Sequence, residues 1–212
     1  ERILDAGGTI VGIAACEYLT LSGGSHSGSH GIVHNPRRRG YSAGGSSSGN
    51  AAAIGSGDAD LAVGTDQGGS VRIPASWCGI VGLKPTYGLV PYTGIMPIEW
   101  TIDHAGPMCW TSEDCALMMQ ALAGHDPGDP ASAQVPIPDY AAEIGKPVQG
   151  LRIGVIRHFH ETDNPATPEV LAALEEAIRV LGGLGCEVVD VTLPPLADFA
   201  AVGVTIMASE AF

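Results

Sequence analysis

Small, apolar and polar residues form short regular patterns along the first third of the chain, interrupted by one long polar stretch. The short patterns predict helices at residues 1–6 and 51–57, and strands at residues 9–15 and 61–63. Residues 22–49 are almost all Ser, Gly, His, Asn and Arg. Because long polar loops inside compact domains usually have a function, we expect this segment to contribute to a site.

The second half of the chain carries clearer periodic patterns. Thr111, followed by two acidic residues, predicts the N-cap of a helix with apolar residues at positions 115, 118, 119 and 122. Later, an apolar strand at 151–156, a helix that begins at Thr167 and Pro168, and a strand at 187–191 predict a strand-helix-strand unit. Such units pair their strands in parallel, so the pattern predicts an α/β fold with a parallel or mixed sheet.

Proline and glycine breaks at residues 125–136 predict a connector. We therefore predict a core domain over residues 1–130, a connector over 131–150 and a continuation of the same domain over 151–212. The sequence begins and ends within apparent helices. We expect it to be an internal part of a longer protein.

Charge and cysteine content exclude several classes of protein. The net charge is −13, which argues against a nucleic-acid partner because such partners require a basic surface. Five scattered cysteines without a CxxC pair predict neither a disulfide scaffold nor a zinc site, and they fit a cytoplasmic protein. No apolar run is long enough to suggest a membrane span. We expect no metal and no cofactor.

Two serines flanked by glycines are the strongest chemical signal. Ser46 lies in GGSSSG and Ser70 lies in GTDQGGS, 24 residues later. The glycines before Ser70 would let backbone amides converge on a developing oxyanion, so Ser70 is a candidate nucleophile. Taken singly, GTDQGGS is also typical of a tight turn, and GGSSSG of a flexible linker. GGSSSG lacks the GK[ST] ending of a phosphate-binding loop.

A serine nucleophile needs a group that accepts its proton, and no histidine is obviously placed for that role. A hydroxyl relay to a neutral lysine is the alternative. The sequence contains two lysines, Lys84 and Lys146, and both follow Ser70.

Residues 44–90, GGSSSGNAAAIGSGDADLAVGTDQGGSVRIPASWCGIVGLKPTYGLV, closely resemble the signature of the amidase signature family. Members of this family are amide hydrolases with a Ser, cis-Ser, Lys triad. The resemblance implies an α/β fold with a mixed, largely parallel central sheet flanked by helices. It implies that Ser70 is the nucleophile, that Ser46 is the cis-serine relay, and that the oxyanion hole comes from the backbone amides of Gln67, Gly68, Gly69 and Ser70.

The same resemblance assigns supporting roles around the nucleophile. Asp66 and Arg72 match acidic and basic positions of the motif and are expected to pair, and Thr65 and Ser47 are expected to support the site. Lys84 also matches the motif, but it follows Ser70. The family's catalytic lysine lies farther before the nucleophile than the 69 residues that precede Ser70 here. We therefore expect the base to lie upstream of this sequence.

Residues 87–108 resemble broad-substrate amidases of nitrile metabolism more than they resemble amidotransferase subunits. The resemblance implies hydrolysis of a small-molecule carboxamide to a carboxylic acid and ammonia through an acyl-enzyme. Two alternatives remain open, namely the glutaminase subunit of a tRNA-dependent amidotransferase and an inactive, truncated amidase. A homodimer is compatible with the family.

Overall fold

The computed structural model describes residues 1–211, which divide into two compact units, one up to Ile144 and one from Gly145 onwards. In the first unit, four helices accompany one sheet: α1 (Arg2–Asp5), α2 (Ser48–Ser56), α3 (Arg72–Cys78) and α4 (Ser112–Leu122). The strands are β1 (Leu61–Asp66), β2 (Val81–Gly82) and β3 (His104–Cys109). Their order is β1-β3-β2, and both pairs are antiparallel.

The second unit contains a parallel pair of strands. It is built from β4 (Arg152–Val155), α5 (Pro168–Gly183), β5 (Glu187–Asp190) and α6 (Leu196–Glu210). The β4–α5–β5 arrangement and the helix start at Thr167 agree with the sequence-based prediction. The α/β fold class is thus confirmed. The first unit differs from the expected largely parallel pairing, because the long segment between β1 and β3 returns the chain in the opposite direction.

The strand predicted at residues 9–15 is not formed. Residues 8–17 have no regular secondary structure, and the side chains of Ile10, Val11 and Ile13 are exposed. An apolar run becomes a strand only when a neighbouring strand pairs with its backbone, and none of the described strands does so here. The prediction was wrong at this segment.

Helix α2 is built from small residues and packs closely on its surroundings. Ala51 and Ile54 are fully buried, and the helix ends at Gly57, whose φ of 82° is left-handed. Glycine adopts this conformation without the strain that a Cβ would cause. The helix starts directly after Ser46 and Ser47, so its packing fixes the position of both serines.

Helix α4 covers the sheet of the first unit. Its N-cap Thr111 accepts a hydrogen bond from the Asp114 amide, and the Asp114 carboxylate accepts one from the Thr111 amide, which completes a capping box. Its buried residues, as predicted, include Cys115, Met118, Met119 and Leu122. They pack with Val90, Ala105 and Cys109 into one apolar cluster. Among the helices of residues 1–211, none is both long and apolar enough to cross a membrane.

Candidate functional site

The loop between β1 and α3 is held by one buried carboxylate. Asp66, the last residue of β1, is fully buried. Its Oδ1 accepts a hydrogen bond of 2.9 Å from the Gly69 amide, and its Oδ2 accepts one of 3.0 Å from the Val71 amide. Because these donors lie on either side of Ser70, Asp66 fixes the backbone that carries the candidate nucleophile.

Arg72 completes the anchor from the first turn of α3. Its guanidinium donates to both carboxylate oxygens of Asp66, at 3.0 Å from Nε and 2.8 Å from Nη2. Burial acts to raise the pKa of Asp66, but the Arg72 guanidinium and the loop amides outweigh it and hold that pKa below its usual value. The same hydrogen bond from Arg72 to Asp66 raises the pKa of Arg72. The pairing expected from sequence is present as a bidentate contact.

The structure brings the two serine motifs together. The Ser47 amide donates to the Ser70 carbonyl at 3.1 Å, so the residue next to Ser46 contacts the backbone of Ser70. The Gly45–Ser46 peptide bond is cis. The Ser46 carbonyl in turn accepts a hydrogen bond of 3.1 Å from the Glu17 amide. Ser46 is fully buried, and Ser70 retains 8% exposure.

Gly45 lies against the backbone of the preceding polar loop. A Cβ at this position would lie 2.0 Å from the Gly24 carbonyl oxygen and 2.7 Å from that of Ser22. Both contacts are with backbone atoms, which cannot move aside as a flexible side chain would. Glycine is therefore required directly before Ser46, and the loop at residues 22–24 is packed against the site.

Ser47 links the start of α2 to β1 through its side chain. Its hydroxyl accepts a hydrogen bond of 3.2 Å from the Thr65 amide and donates one of 3.3 Å to the Thr65 carbonyl. Gly64 permits this approach, because a Cβ there would lie 2.6 Å from Ser47 Oγ. The Ser47 side chain thus ties the start of α2 to the backbone of β1 at Thr65, and the supporting role of both residues stays a prediction.

The Ser46 hydroxyl is chemically distinct from its neighbours. Ser46 Oγ is buried and makes no hydrogen bond with any residue in the described range 1–211. A buried hydroxyl without a partner is unfavourable by about 1–3 kcal/mol, so such groups usually indicate an additional contact. Lys84 is not that partner, because Ser46 Oγ has none within residues 1–211; the Nζ of Lys84 donates to the Pro85 carbonyl at 2.7 Å.

Lys84 lies instead near the Asp66–Arg72 pair. Burial and the charge of Arg72 lower its pKa, while Asp66 opposes that change. His104, opposite Asp66 in the β1–β3 register, has a pKa lowered by burial and by the charge of Lys84. Lys84 therefore adds a positive charge near the Asp66–Arg72 pair, whereas the lowered pKa of His104 favours its neutral form.

The loop restricts which amides can serve an oxyanion. The Gly69 amide is engaged by Asp66, so it is not available in this conformation. The amides of Gln67, Gly68 and Ser70 remain as candidates for the predicted oxyanion hole. Gly69 itself has φ of 127°, and a Cβ there would lie 2.8 Å from the Ile73 side chain. Its glycine is thus needed for the loop conformation.

Sequence reasoning did not foresee two buried acids behind the loop. Glu99 is fully buried and Asp103 is 6% exposed. Burial, followed by the charges of Asp103 and Glu99, raises the pKa of Tyr92, while the interaction of its side chain with Thr65 acts to lower it. The available signal was the presence of acids within an otherwise apolar and aromatic stretch at residues 87–108.

Comparison with protein families gives a match along the whole chain. The family model described as Amidase matches residues 1–212. Among curated proteins, the chain is 41% identical over 211 residues to a glutamyl-tRNA(Gln) amidotransferase subunit from Synechococcus sp. strain RCC307, covering 100% of this chain and 43% of that protein. It is 43% identical over 193 residues to the subunit of the same name from Geobacter metallireducens, covering 91% of this chain and 39% of that protein.

Solved structures also match almost the whole chain. A glutamyl-tRNA(Gln) amidotransferase subunit from Thermotoga maritima superimposes with a TM-score of 0.94 at 34% identity, over 99% of this chain and 46% of that one. The native peptide amidase from Stenotrophomonas maltophilia superimposes with a TM-score of 0.88 at 35% identity, over 99% of this chain and 44% of that one. The chain therefore spans less than half the length of these relatives.

Proposed function

This chain belongs to the amidase signature family, and on that premise we propose that it carries the nucleophile and the proton relay of an amide hydrolase. The contact between Ser47 and Ser70, with the unpartnered hydroxyl of Ser46 beside it, is the observation that carries the proposal. It supports a role for both serines at one loop junction. Ser46 is fully buried, and Ser70 retains 8% exposure.

In the proposed reaction, Ser70 Oγ attacks the carbonyl carbon of a carboxamide. Its proton passes to Ser46 Oγ, and the Ser46 proton passes to a neutral lysine from a part of the complete protein that precedes this sequence. The amides of Gln67, Gly68 and Ser70 stabilise the oxyanion, and loss of one such donor from a serine hydrolase costs about 3–4 kcal/mol. The lysine proton returns through Ser46 to the leaving nitrogen, which departs as ammonia.

An acyl-enzyme on Ser70 then remains. Water attacks the ester carbonyl, its proton follows the same relay, and the carboxylic acid leaves with Ser70 restored. Buried Asp66 takes no part in proton transfer in this scheme. Its two oxygens already accept four close hydrogen bonds, from the Gly69 and Val71 amides and from Nε and Nη2 of Arg72.

Serine replacements in the full-length protein test the proposal. Ser70→Ala is expected to abolish ammonia release from simple amides, and Ser46→Ala to lower kcat by several orders of magnitude while the fold persists. Ser112→Ala is the matched control, because Ser112 is an exposed serine at the start of α4. Ammonia release by Ser70→Ala at the rate of the control would falsify the nucleophile assignment.

The lysine has its own test. Replacement by alanine of the upstream lysine that contacts Ser46 Oγ should remove activity across the accessible pH range. Activity that persists without any lysine upstream of the serines would show that another group accepts the proton.

A second candidate is the glutaminase subunit of a tRNA-dependent amidotransferase. It is favoured by the names of the similar curated proteins, which are subunits of glutamyl-tRNA(Gln) amidotransferase. The first candidate is favoured by the similarity to a peptide amidase. Copurification with partner subunits and glutamine-dependent transfer to a charged tRNA would select the amidotransferase, whereas hydrolysis of simple amides by the protein alone would select the amidase.

A further inference from the structure

A small cavity lies behind the nucleophile loop. It is lined by Tyr87, Tyr92, Trp100, Asp103 and Asp129, together with backbone of the neighbouring turns. Its volume of about 20 Å³ admits one or two molecules of the size of water. A ligand for this cavity must therefore be very small.

Asp103 lines this cavity and has one carboxylate oxygen without a hydrogen-bond partner among the described residues. Its Oδ2 accepts hydrogen bonds from the Ile98 amide at 2.8 Å and the Glu99 amide at 3.2 Å. Its Oδ1 is buried and makes no hydrogen bond of good geometry within the described part of the chain. The side-chain amide of Gln67 approaches the carboxylate and acts to lower its pKa, and its Nε2, which carries two hydrogens, also donates to Thr20 Oγ1 at 3.3 Å.

The surroundings of the cavity are negatively charged. Glu99 is fully buried nearby, and its charge acts with that of Asp103 on Tyr92. Asp129 also lines the cavity, but its two oxygens accept hydrogen bonds from the Tyr92 and Ala131 amides. No lysine or arginine is among the lining residues. Burial raises the pKa of Asp103, an effect that a cation at Oδ1 would oppose.

The chemistry of the lining selects the kind of cation. Aromatic rings attract ammonium ions through their faces, and three aromatic residues line the cavity. A divalent metal would require several oxygen ligands, whereas Asp129, the other acidic lining residue, already accepts hydrogen bonds at both of its oxygens. Within residues 1–211, no three His, Cys, Asp or Glu side chains are grouped to hold a metal.

The geometry points to a binding site for the free ammonium ion, with Asp103 Oδ1 as its anionic partner and the rings of Tyr87, Tyr92 and Trp100 as its walls. The β1–β3 register pairs Asp66 with His104, which places Asp103 next to the Gln67 turn. If the proposed amide hydrolysis holds, the occupant is the nitrogen product of the reaction. That link rests on the proposed function, whereas ammonium binding itself does not.

Thermal unfolding of the full-length protein, without any amide present, tests the site. Ammonium chloride should raise Tm above the value in sodium chloride at equal concentration, because a ligand that binds the folded state stabilises it. In Asp103→Asn the side-chain oxygen can still accept from the Ile98 and Glu99 amides, but the site loses its charge. We expect the apparent Kd for ammonium to weaken at least about tenfold, since hydrogen bonds to charged groups contribute 1.5–3 kcal/mol.

Asp60→Asn is the matched control, because Asp60 is exposed and lies before β1. It should keep the full response to ammonium. Equal responses in Asp103→Asn and Asp60→Asn, or no difference between ammonium and sodium in the unsubstituted protein, would overturn the proposal. Since the assay contains no amide, either outcome leaves the nucleophile assignment to its own test.

Two further experiments test the proposal if Asp103→Asn fails to fold. Trp100→Leu replaces a half-exposed aromatic wall by an aliphatic one and should also weaken the ammonium response. Propylammonium is too large for the cavity and should give a smaller response than ammonium. A stronger response to propylammonium would assign the site to an organic amine and contradict binding of the free ion.

Discussion

The backbone amide of Ser47 donates a 3.1 Å hydrogen bond to the carbonyl of Ser70. This bond joins the start of α2 to the loop between β1 and α3, and it does not depend on the Ser47 side chain. The side chain makes a separate connection, to the backbone of Thr65 in β1. The two links can therefore be tested independently.

Ser47→Ala should remove the side-chain link and keep the backbone bond to Ser70. The variant loses the acceptor of the Thr65 amide and the donor to the Thr65 carbonyl, so we expect a loss of about 1–3 kcal/mol in the free energy of unfolding. Urea unfolding of the full-length protein measures this loss.

Ser48→Ala is the control for that prediction. Ser48 is also fully buried, but its hydroxyl makes only a 3.5 Å contact with the Ala15 carbonyl, which also accepts from the Gly49 amide at 2.8 Å. The effect should therefore be smaller than that of Ser47→Ala. A larger loss in Ser48→Ala would show that the Ser47–Thr65 contact is not the main link.

Gly45→Ala should displace the loop at residues 22–24 from the site. The added methyl group would meet two backbone carbonyl oxygens at 2.0 and 2.7 Å, so we expect destabilisation of at least about 1–3 kcal/mol and a fall in kcat. Chemical unfolding and steady-state kinetics of the same preparation measure both effects.

Gly182→Ala serves as the comparison, because it lies within α5 and an added Cβ would meet nothing within 4 Å. Alanine is favoured over glycine in helices by about 1 kcal/mol, so this variant should be slightly more stable than the parent protein. If Gly45→Ala proved as stable as Gly182→Ala, the close packing described at Gly45 would be contradicted.

Asp66 and Asp103 should give stability opposite dependences on pH. The pKa of Asp66 is lowered on folding, so its contribution is present above the ordinary aspartate value of about 3.9 and is lost as the pH falls through the folded-state pKa. The pKa of Asp103 is raised, so its protonated form favours the folded state at low pH. That contribution is lost as the pH rises through the folded-state pKa.

Measurements of Tm between about pH 3 and pH 7 separate these effects. The difference in Tm between the parent protein and Asp66→Asn should shrink as the pH falls, since the parent loses the ionised carboxylate. For Asp103→Asn, the Tm relative to the parent should rise as the pH increases. Parallel pH profiles for the two variants would contradict the assigned pKa directions.

The sequence predicted the elements that rest on local signals. Residues close together in sequence predicted the Thr111 cap and the apolar face of α4, and the structure contains both. The same holds for the strand-helix-strand unit that begins at residue 151. The segment at residues 9–15 has an equally apolar sequence, yet it forms no strand. Strand formation requires a partner distant in the chain, which local pattern cannot supply.

The candidate site also combines features that the sequence predicted with features that depend on residues distant in the chain. The serine motifs and the Asp66–Arg72 pair could be proposed from residue types and resemblance. Two other features depend on how β1 and β3 align. Asp66 accepts a hydrogen bond from the Gly69 amide, and Asp103 lies beside Gln67. Buried acids such as Glu99 were missed because acidic residues are usually exposed, and their apolar sequence surroundings were the available signal.

The pairing of Asp66 with His104 in the β1–β3 register has one more consequence. Side chains along a strand point alternately to opposite faces, so a slip of a single residue would turn Asp66 away from the loop it anchors. Gly69, Val71 and Arg72 would then lose their common acceptor. The conformation of the loop that carries Ser70 thus depends on the alignment of two strands, and mutations that loosen β3 can disturb the proposed site without changing any residue of that loop.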